Sequence, residues 1–435
     1  MQTSSNKPTF KALIPFLIFI FTFLSVGIIQ EDFYALPAPI AVISGIAVAF
    51  VLFKQSIHTK IKVLLDGCGD HKILTMCLIY LLAGAFAEVT KATGSVDAIV
   101  NFGLELISSQ YLYFSVFVIS AFLSVSTGTS VGSIVALSPI VMGFAETEGL
   151  SLSILCGALL GGAMFGDNLS VISDTTIAAT QSLQVKMSDK FKANIKIALP
   201  AALVTIGILI YKGFTLDTIT SDSINHSYSL IKIFPYILVL TLSIKGINVF
   251  STLFLGIISA GVLGVIYKDF TVLEFTQTSF VGFQNMTEIF LLSLLAGGLA
   301  ALVTYNGGIE YILIKIKGFI KNKKSAQFGI SALVSTVNLA IANNTVSIII
   351  SGPIAKSIND QYNLENKQTA SLLDIFACII QGVLPYGAQV LMILSFAKGD
   401  ITYFELVTNT WYILLLLISS LIYIVFNNTG KARGF

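Results

Sequence analysis

Residues 112–144 read LYFSVFVISAFLSVSTGTSVGSIVALSPIVMGF, an apolar run interrupted near its middle by Ser-Thr-Gly-Thr-Ser at 126–130. As one helix this run would be roughly 50 Å long, at about 1.5 Å per residue. A bilayer core is about 30 Å thick, so the run is too long for one crossing, and each arm alone is too short. The stretch therefore predicts a re-entrant helical hairpin with its tip at 127–130.

Three other apolar runs are interrupted in the same way. A second hairpin is predicted at 328–355, where Ala-Asn-Asn-Thr at 342–345 breaks the run. Two stretches have the length of single crossings with an unwound middle: 152–180, broken at Gly166-Asp167-Asn168, and 370–397, broken at Pro385-Tyr386-Gly387. Lipid cannot satisfy the backbone groups freed at such breaks, so the breaks must face protein or a polar cavity.

The composition places the chain in a membrane. Charged residues make up 11% and hydrophobic residues 55% of the 435 residues, whereas a soluble domain has about 25% charged residues. Uninterrupted apolar segments predict further crossings at 12–30, 36–53, 73–92, 194–211, 233–247, 249–267, 288–305 and 410–427. The run at 12–30 is long for a signal peptide and precedes other spans, which favours a retained helix. We therefore predict an all-α polytopic membrane protein.

The basic residues predict the orientation. With the N-terminus inside and each hairpin counted as no crossing, 20 of the 25 basic residues lie on the cytoplasmic side, as the positive-inside rule requires. A single crossing at 112–144 would move the cluster Lys186–Lys196 outside. This favours both termini in the cytoplasm and a location in the cell inner membrane. Two amphipathic stretches, 96–108 and 309–320, are predicted as surface helices or plain connections.

An internal repeat divides the chain. The segment LAGAFA at 82–87 returns as LAGGLA at 295–300, and both hairpins carry a proline ten residues after the tip. We predict two homologous halves, 11–212 and 230–427, joined by an extracytoplasmic linker, 213–229, and flanked by cytoplasmic tails, 1–10 and 428–435. Each half has five crossings, one of them broken, plus one hairpin, and this odd number inverts the second half. Inverted repeats with broken helices are typical of secondary transporters.

The tips and breaks supply two candidate sites. Their hydroxyl, amide and freed carbonyl oxygens are hard ligands that suit a small cation. The first cluster contains Thr127, Thr129, Ser130, Asp167, Asn168, Ser170 and Asp174, and the second contains Asn343, Asn344, Thr345, Tyr386 and Gln389. The first is acidic and the second is neutral.

Acids inside predicted spans are functional candidates because burying them is costly. They are Glu88, Asp167, Asp174 and Asp374. Each acid also has a possible structural role or position without a function. Glu88 could pair with Lys91, Asp167 and Asp174 could cap helices, and Asp374 could lie near the cytoplasmic surface. The three histidines, His58, His71 and His226, lie in polar segments, which argues against a histidine relay or histidine metal site in the membrane.

The segment 161–176, GGAMFGDNLSVISDTT, resembles the signature of NhaC-type Na⁺/H⁺ antiporters, roughly G-x-F-F-G-D-K-x-S-P-x-S-D-T-T. The run QGVLPYGAQ at 381–389 is also similar to members of this group. The layout resembles the wider ion transporter superfamily, in which hairpin tips and helix breaks form the substrate and cation sites. Asn168 and Val171 depart from the pattern, which often has Lys and Pro there.

The resemblance implies Na⁺/H⁺ antiport by alternating access. Asp167 and Asp174 would bind Na⁺ when ionised and H⁺ when protonated, with Asn168, Ser170 and the tip residues 127–130 completing the shell. Glu88, whose repeat partner is Ala301, is a candidate for a coupling role. This competition needs a carboxylate that titrates near ambient pH, which burial favours. Similar members exchange malate for lactate or carry amino acids. A cation-coupled carrier of a small organic anion or amino acid is therefore the alternative, with the second cluster and Asp374 as its site.

Other function classes fit less well. No arginine lies in a predicted span to clamp a carboxylate, which weakens the organic-anion alternative. Broken inverted repeats argue against a passive channel. The sequence contains no P-loop, HExxH motif or nucleophile elbow, so we expect no enzyme and no cofactor beyond Na⁺ and H⁺ as transported ions. The small net charge of +2 gives no reason to expect nucleic acid binding. Superfamily members are often dimers, so a homodimer is compatible with the resemblance.

Overall fold

A computed structural model describes residues 8–29, 36–148, 150–171, 173–215, 229–245 and 247–426. These residues form helices, turns and loops, with no β-strand among them. The C-terminal tail, most of the N-terminal tail and most of the predicted linker lie outside the described residues, as does His226.

The first half contains α1 (Ile14–Ile29), α2 (Ala38–Leu52), α3 (Ile57–Cys68), α4 (His71–Ala92), α5 (Ser95–Leu106), α6 (Leu112–Thr127), α7 (Ser130–Glu148), α8 (Leu152–Leu169), α9 (Asp174–Leu183) and α10 (Met187–Phe214). The second half contains α11 (Phe234–Ile244), α12 (Val249–Tyr267), α13 (Val272–Asn285), α14 (Thr287–Tyr305), α15 (Gly308–Phe319), α16 (Lys323–Ile341), α17 (Asn344–Gln361), α18 (Asn366–Val383), α19 (Ala388–Ala397), α20 (Tyr403–Asn409) and α21 (Trp411–Phe426). The order of helices repeats, with α20 and α21 standing where the first half has α10.

The described residues contain eight helical segments long and apolar enough to cross a membrane, or nine if the bent pair α20 and α21 is one span. Among them are both predicted broken crossings, at Leu152–Leu183 and Asn366–Ala397. The segment Ser109–Thr127, one arm of the predicted first hairpin, also passes this test, so the expectation that each arm is too short to cross is wrong for this arm. Two predicted crossings are apolar but shorter than expected, at Ala38–Leu52 and Leu230–Leu242. The prediction of an all-α membrane protein is confirmed.

At or near each predicted interruption of an apolar run, one helix ends and the next begins. The α6–α7 pair breaks at 128–129, and the α16–α17 pair breaks at 342–343. In the first broken crossing, α8 ends at Leu169 and α9 begins at Asp174, so Asp167 lies in the last turn of α8 rather than in the break predicted at 166–168. The second unwinds at 384–387, as predicted.

Two helices, α3 and α13, were not predicted. Each packs against the opposite half through glycine, which lets backbones approach closely in membrane proteins. A Cβ added at Gly67 of α3 would lie 2.6 Å from the carbonyl oxygen of Gly297, and one at Gly282 of α13 would lie 2.4 Å from that of Gly84. Because Gly84 and Gly297 are equivalent in the repeat, the two contacts correspond.

Equivalent hydrogen bonds also fix each hairpin against its broken crossing. Ser124 Oγ donates to the carbonyl oxygen of Ala163 at 2.6 Å. In the second half, Asn338 Nδ2 donates to the carbonyl oxygen of Ala377 at 2.8 Å. Each donor and each acceptor lies 214 residues from its counterpart. These buried bonds hold the tip of each hairpin beside the break of its own half.

Candidate functional site at the central cavity

A cavity of about 340 Å³ lies where both hairpin tips and both helix breaks meet. It is lined by His71, Thr75, Met76, Ile79, Gly128, Thr129, Ser130, Val131, Gly132, Asp167, Ser173, Asp174, Thr175, Ala342, Asn343, Asn344, Thr345, Gln381, Ala388 and Gln389. The two clusters predicted as separate sites therefore share one cavity.

Helix ends give this cavity its electrostatic character. The first residues of α7, α9, α17 and α19 are Ser130, Asp174, Asn344 and Ala388, and all four line it. Helix N-termini carry partial positive charge and free N–H groups, which favour anions. Asp167 comes instead from the C-terminal turn of α8, where the partial charge is negative and favours a cation.

Asp167 is the buried acid of the cavity wall, with 4% of its surface exposed. Its Oδ2 accepts a hydrogen bond from Ser130 Oγ at 2.8 Å, and its Oδ1 accepts one from Ser173 Oγ. Ser130 Oγ in turn accepts from Gln389 Nε2 at 3.0 Å, and Gln389 Oε1 accepts from Gln381 Nε2 at 3.0 Å. A chain of hydrogen bonds therefore connects the second half to the acid of the first.

Asp174 lines the same cavity but is exposed. It is the first residue of α9, so its carboxylate faces the open space rather than the packed interior. Of the two aspartates, Asp167 is buried and Asp174 is exposed. Thr129, Asn343, Asn344 and Thr345 are half-buried and also line the cavity.

Three residues assigned to the cation shell do not line the cavity. Asn168 Nδ2 donates to the hydroxyl of Tyr412 at 3.1 Å. Ser170 Oγ donates to the carbonyl oxygen of Val125 at 2.9 Å. Thr127 Oγ1 accepts from the backbone N–H of the next-but-one residue at 3.4 Å. These contacts hold the break and the tip in shape, and none of the three side chains lines the cavity in this structure.

Tyr386 and Glu88 also lie apart from the cavity lining. Tyr386 is buried, its hydroxyl donates to the carbonyl oxygen of Leu339 at 2.8 Å, and its ring lies 5.0 Å from that of Phe19. Glu88 pairs with Lys398 at 3.0 Å rather than with Lys91. Their positions at a helix break and in a span made Tyr386 and Glu88 candidates, but the sequence does not give the direction of their side chains.

A buried ion pair was missed. Lys190 and Asp374 are 1% and 0% exposed, and Lys190 Nζ lies 2.7 Å from Asp374 Oδ2. In the sequence, Lys190 belongs to the basic cluster 186–196 that indicates the cytoplasmic side, and Asp374 could lie near that surface; the structure buries both side chains in contact with each other. Lys190 Nζ also donates to the carbonyl oxygen of Asn168 at 3.1 Å and to Thr176 Oγ1 at 2.6 Å. A lysine therefore stands beside the backbone of the residue that departs from the family pattern.

His71 lines the cavity, although its polar position in the sequence argued against a role in the membrane. It begins α4 and is exposed. Its polar surroundings in the sequence reflected a helix start at the cavity rather than a remote loop. Among the described residues no group of three or more His, Cys, Asp or Glu could hold a metal ion. A Na⁺ bound here would therefore rely on hydroxyl and carbonyl oxygens besides carboxylates.

Comparison with known proteins identifies the family of the chain. A model of the Na⁺/H⁺ antiporter family matches residues 4–214 and 216–429. The chain belongs to the Na⁺/H⁺ antiporter family. This membership confirms the resemblance carried by the segment 161–176.

Two known transporters resemble the chain over most of its length. The Na⁺/H⁺ antiporter NhaC of Bacillus subtilis is 25% identical over 363 residues, which cover 75% of this chain and 79% of that protein. A malate-2H⁺/Na⁺-lactate antiporter of the same organism is 24% identical over 397 residues, covering 83% and 84%. Among solved structures, the Alcanivorax borkumensis YdaH transporter matches with a TM-score of 0.44 and 14% identity, covering 86% of this chain and 90% of that chain.

Proposed function

We propose that this protein is a secondary transporter that exchanges Na⁺ for H⁺ across the membrane. The observation that carries the proposal is Asp167, a buried carboxylate at the wall of a polar cavity, held by the hydroxyls of Ser130 and Ser173. Its position at the C-terminal end of α8 favours a bound cation. Membership of the family supports the same conclusion.

Competition at one carboxylate accounts for the exchange. Ionised Asp167 binds Na⁺, and a hydroxyl such as that of Ser130 can rotate to offer the ion a lone pair instead of donating to the acid. A proton on Asp167 removes the charge that holds Na⁺. The two cations therefore occupy the site alternately.

The two halves, 11–212 and 230–427, are proposed to be inverted repeats in the cell inner membrane, with both termini in the cytoplasm. The repeated helix order and a family match in two segments that divide at residue 215 support the two repeats, and the distribution of basic residues supports the orientation. In this topology His71 lies on the cytoplasmic side of the cavity. Reciprocal movement of the halves would open the site to the other side, which is the alternating access typical of such repeats.

Purified protein in liposomes with an enclosed pH dye tests the proposal. An imposed Na⁺ gradient, with no organic solute present, is expected to drive protons in the opposite direction. Empty liposomes and a K⁺ gradient of equal size serve as controls. No proton movement with Na⁺ in active preparations would refute Na⁺/H⁺ exchange.

A second candidate is cation-coupled transport of a small organic anion. The cavity of about 340 Å³ would hold roughly eleven waters at about 30 Å³ each, more room than one Na⁺ needs. Four helix N-termini line it, and these favour a carboxylate. One relative is named as a malate-2H⁺/Na⁺-lactate antiporter. Proton movement only after adding malate, lactate or an amino acid would favour this candidate.

Ser130→Ala is expected to weaken Na⁺ binding by about tenfold or more, because a hydrogen bond to a charged group contributes roughly 1.5–3 kcal/mol. The measurement is the Na⁺ concentration that gives half-maximal exchange. Ser138→Ala is the matched control: Ser138 is also buried in α7, but its hydroxyl donates to its own helix at Ile134. Equal effects of the two substitutions would contradict a role for Ser130 at the cation site.

A further inference from the structure

Among the charged side chains that the structure describes, three are buried: Asp167, Lys190 and Asp374, at 4%, 1% and 0% exposure. Two negative charges and one positive charge leave a formal net charge of −1 when no cation is bound. The exposed acid Asp174 is solvated at the cavity wall, and Glu88 is paired with Lys398. Asp167 is thus the buried carboxylate without a cationic partner among the described residues.

The three groups form one electrostatic unit. Lys190 Nζ contacts Asp374 Oδ2 at 2.7 Å and the carbonyl oxygen of Asn168, the residue after Asp167, at 3.1 Å. Asn194 Nδ2 donates to the same carbonyl and the same carboxylate, at 2.7 Å each. Changing the charge of the ion pair must therefore change the field at Asp167.

We propose that Lys190 neutralises Asp374 permanently, so that Asp167 carries the one uncompensated buried charge. The carrier is therefore limited to one exchangeable cation per cycle. The physical reason is that an unpaired buried charge is strongly disfavoured. The carrier then changes conformation only when one Na⁺ or one H⁺ neutralises Asp167. Exchange is one for one and moves no net charge. This inference rests on the proposed Na⁺/H⁺ exchange.

The surroundings of the pair show what loss of Lys190 would expose. The buried oxygens Asp374 Oδ1, Asn168 Oδ1 and Asn194 Oδ1 have no hydrogen-bond partner within the described ranges. A carboxylate and two amide oxygens are hard cation ligands. With the lysine charge removed, this group is expected to attract a cation.

Three variants separate charge balance from structural support. Asp374→Asn makes the buried set neutral, so Na⁺ affinity at fixed pH is expected to fall by about tenfold or more. Lys190→Gln makes the set −2, so Na⁺ affinity is expected to rise or a second Na⁺ to bind. The double variant, Lys190→Gln with Asp374→Asn, returns the formal charge of the set to −1. Its Na⁺ affinity is expected to be closer to that of the wild type than the affinity of the Asp374→Asn variant is. Binding of radioactive Na⁺ to purified protein measures both affinity and number of sites.

A purely structural ion pair would give a different pattern, because either single substitution would then weaken binding in the same direction. That result would overturn the inference. A second measurement does not depend on the variants folding. In wild-type liposomes, one proton should move per Na⁺, and an imposed membrane potential should neither drive nor slow exchange. Exchange that responds to the potential would overturn the inference alone, whereas no Na⁺-linked proton movement would overturn the proposed function.

Discussion

Asp167→Asn is expected to abolish Na⁺-driven proton movement, with a fall in rate of roughly a hundredfold or more, the lower end of what loss of one proton-transferring group costs. Asparagine has nearly the same size but no charge and no exchangeable acid proton. The hydroxyls of Ser130 and Ser173 would then face a neutral amide. The measurement is the initial rate of dye response in liposomes.

The same substitution at two other aspartates provides the comparison for this result. Asp174→Asn should lower Na⁺ affinity severalfold without abolishing exchange, because its carboxylate lines the cavity but is exposed. Asp400→Asn, at an exposed loop position, should have no effect. Wild-type exchange by the Asp167→Asn variant would remove this residue from the transport mechanism.

Gly84→Ala is expected to destabilise the folded protein, although it adds a single methyl group. The added Cβ would lie 2.1 Å from the carbonyl oxygen of Gly282, and a backbone oxygen in a packed helix cannot move aside cheaply. Overpacking of this kind typically costs about 1–3 kcal/mol. We expect a clear fall in the thermal unfolding temperature of the purified protein and less protein in the membrane.

Gly207→Ala is the matched control. Gly207 lies in α10, and its added Cβ would meet nothing within 4 Å. Alanine is the better helix former by about 1 kcal/mol, so this substitution should leave the unfolding temperature unchanged or raise it. An unchanged unfolding temperature in the Gly84→Ala variant would contradict the close contact between α4 and α13.

Much of the fold could be predicted because its signals are local. The length of an apolar run, a polar interruption such as Ser-Thr-Gly-Thr-Ser at 126–130, and the repeated glycine segments all follow from sequence alone. The helices α3 and α13 were missed because neither is apolar throughout. Their glycine contacts with α14 and α4 depend on how the halves pack against each other, which a local pattern does not contain.

The site was predicted in part for the same reason. The repeat indicated that the tips and breaks were special, and the structure brings Ser130, Asp167 and Gln389 together in hydrogen bonds. The sequence could not give the direction of each side chain at a break, so Asn168 was assigned to the cavity while it faces Tyr412. The buried position of Lys190 could not be predicted, because a lysine in the basic cluster 186–196 satisfies the positive-inside rule whether it is exposed or buried.

In the proposed exchange, Na⁺ and H⁺ compete for one buried carboxylate, that of Asp167. This competition can be measured by adding Na⁺ to purified protein in detergent, in a weakly buffered solution with a pH dye. We expect wild-type protein to release protons when Na⁺ binds, up to one per chain, and the Asp167→Asn variant to release none. Na⁺ binding to the wild type without proton release at any pH would contradict the proposed competition.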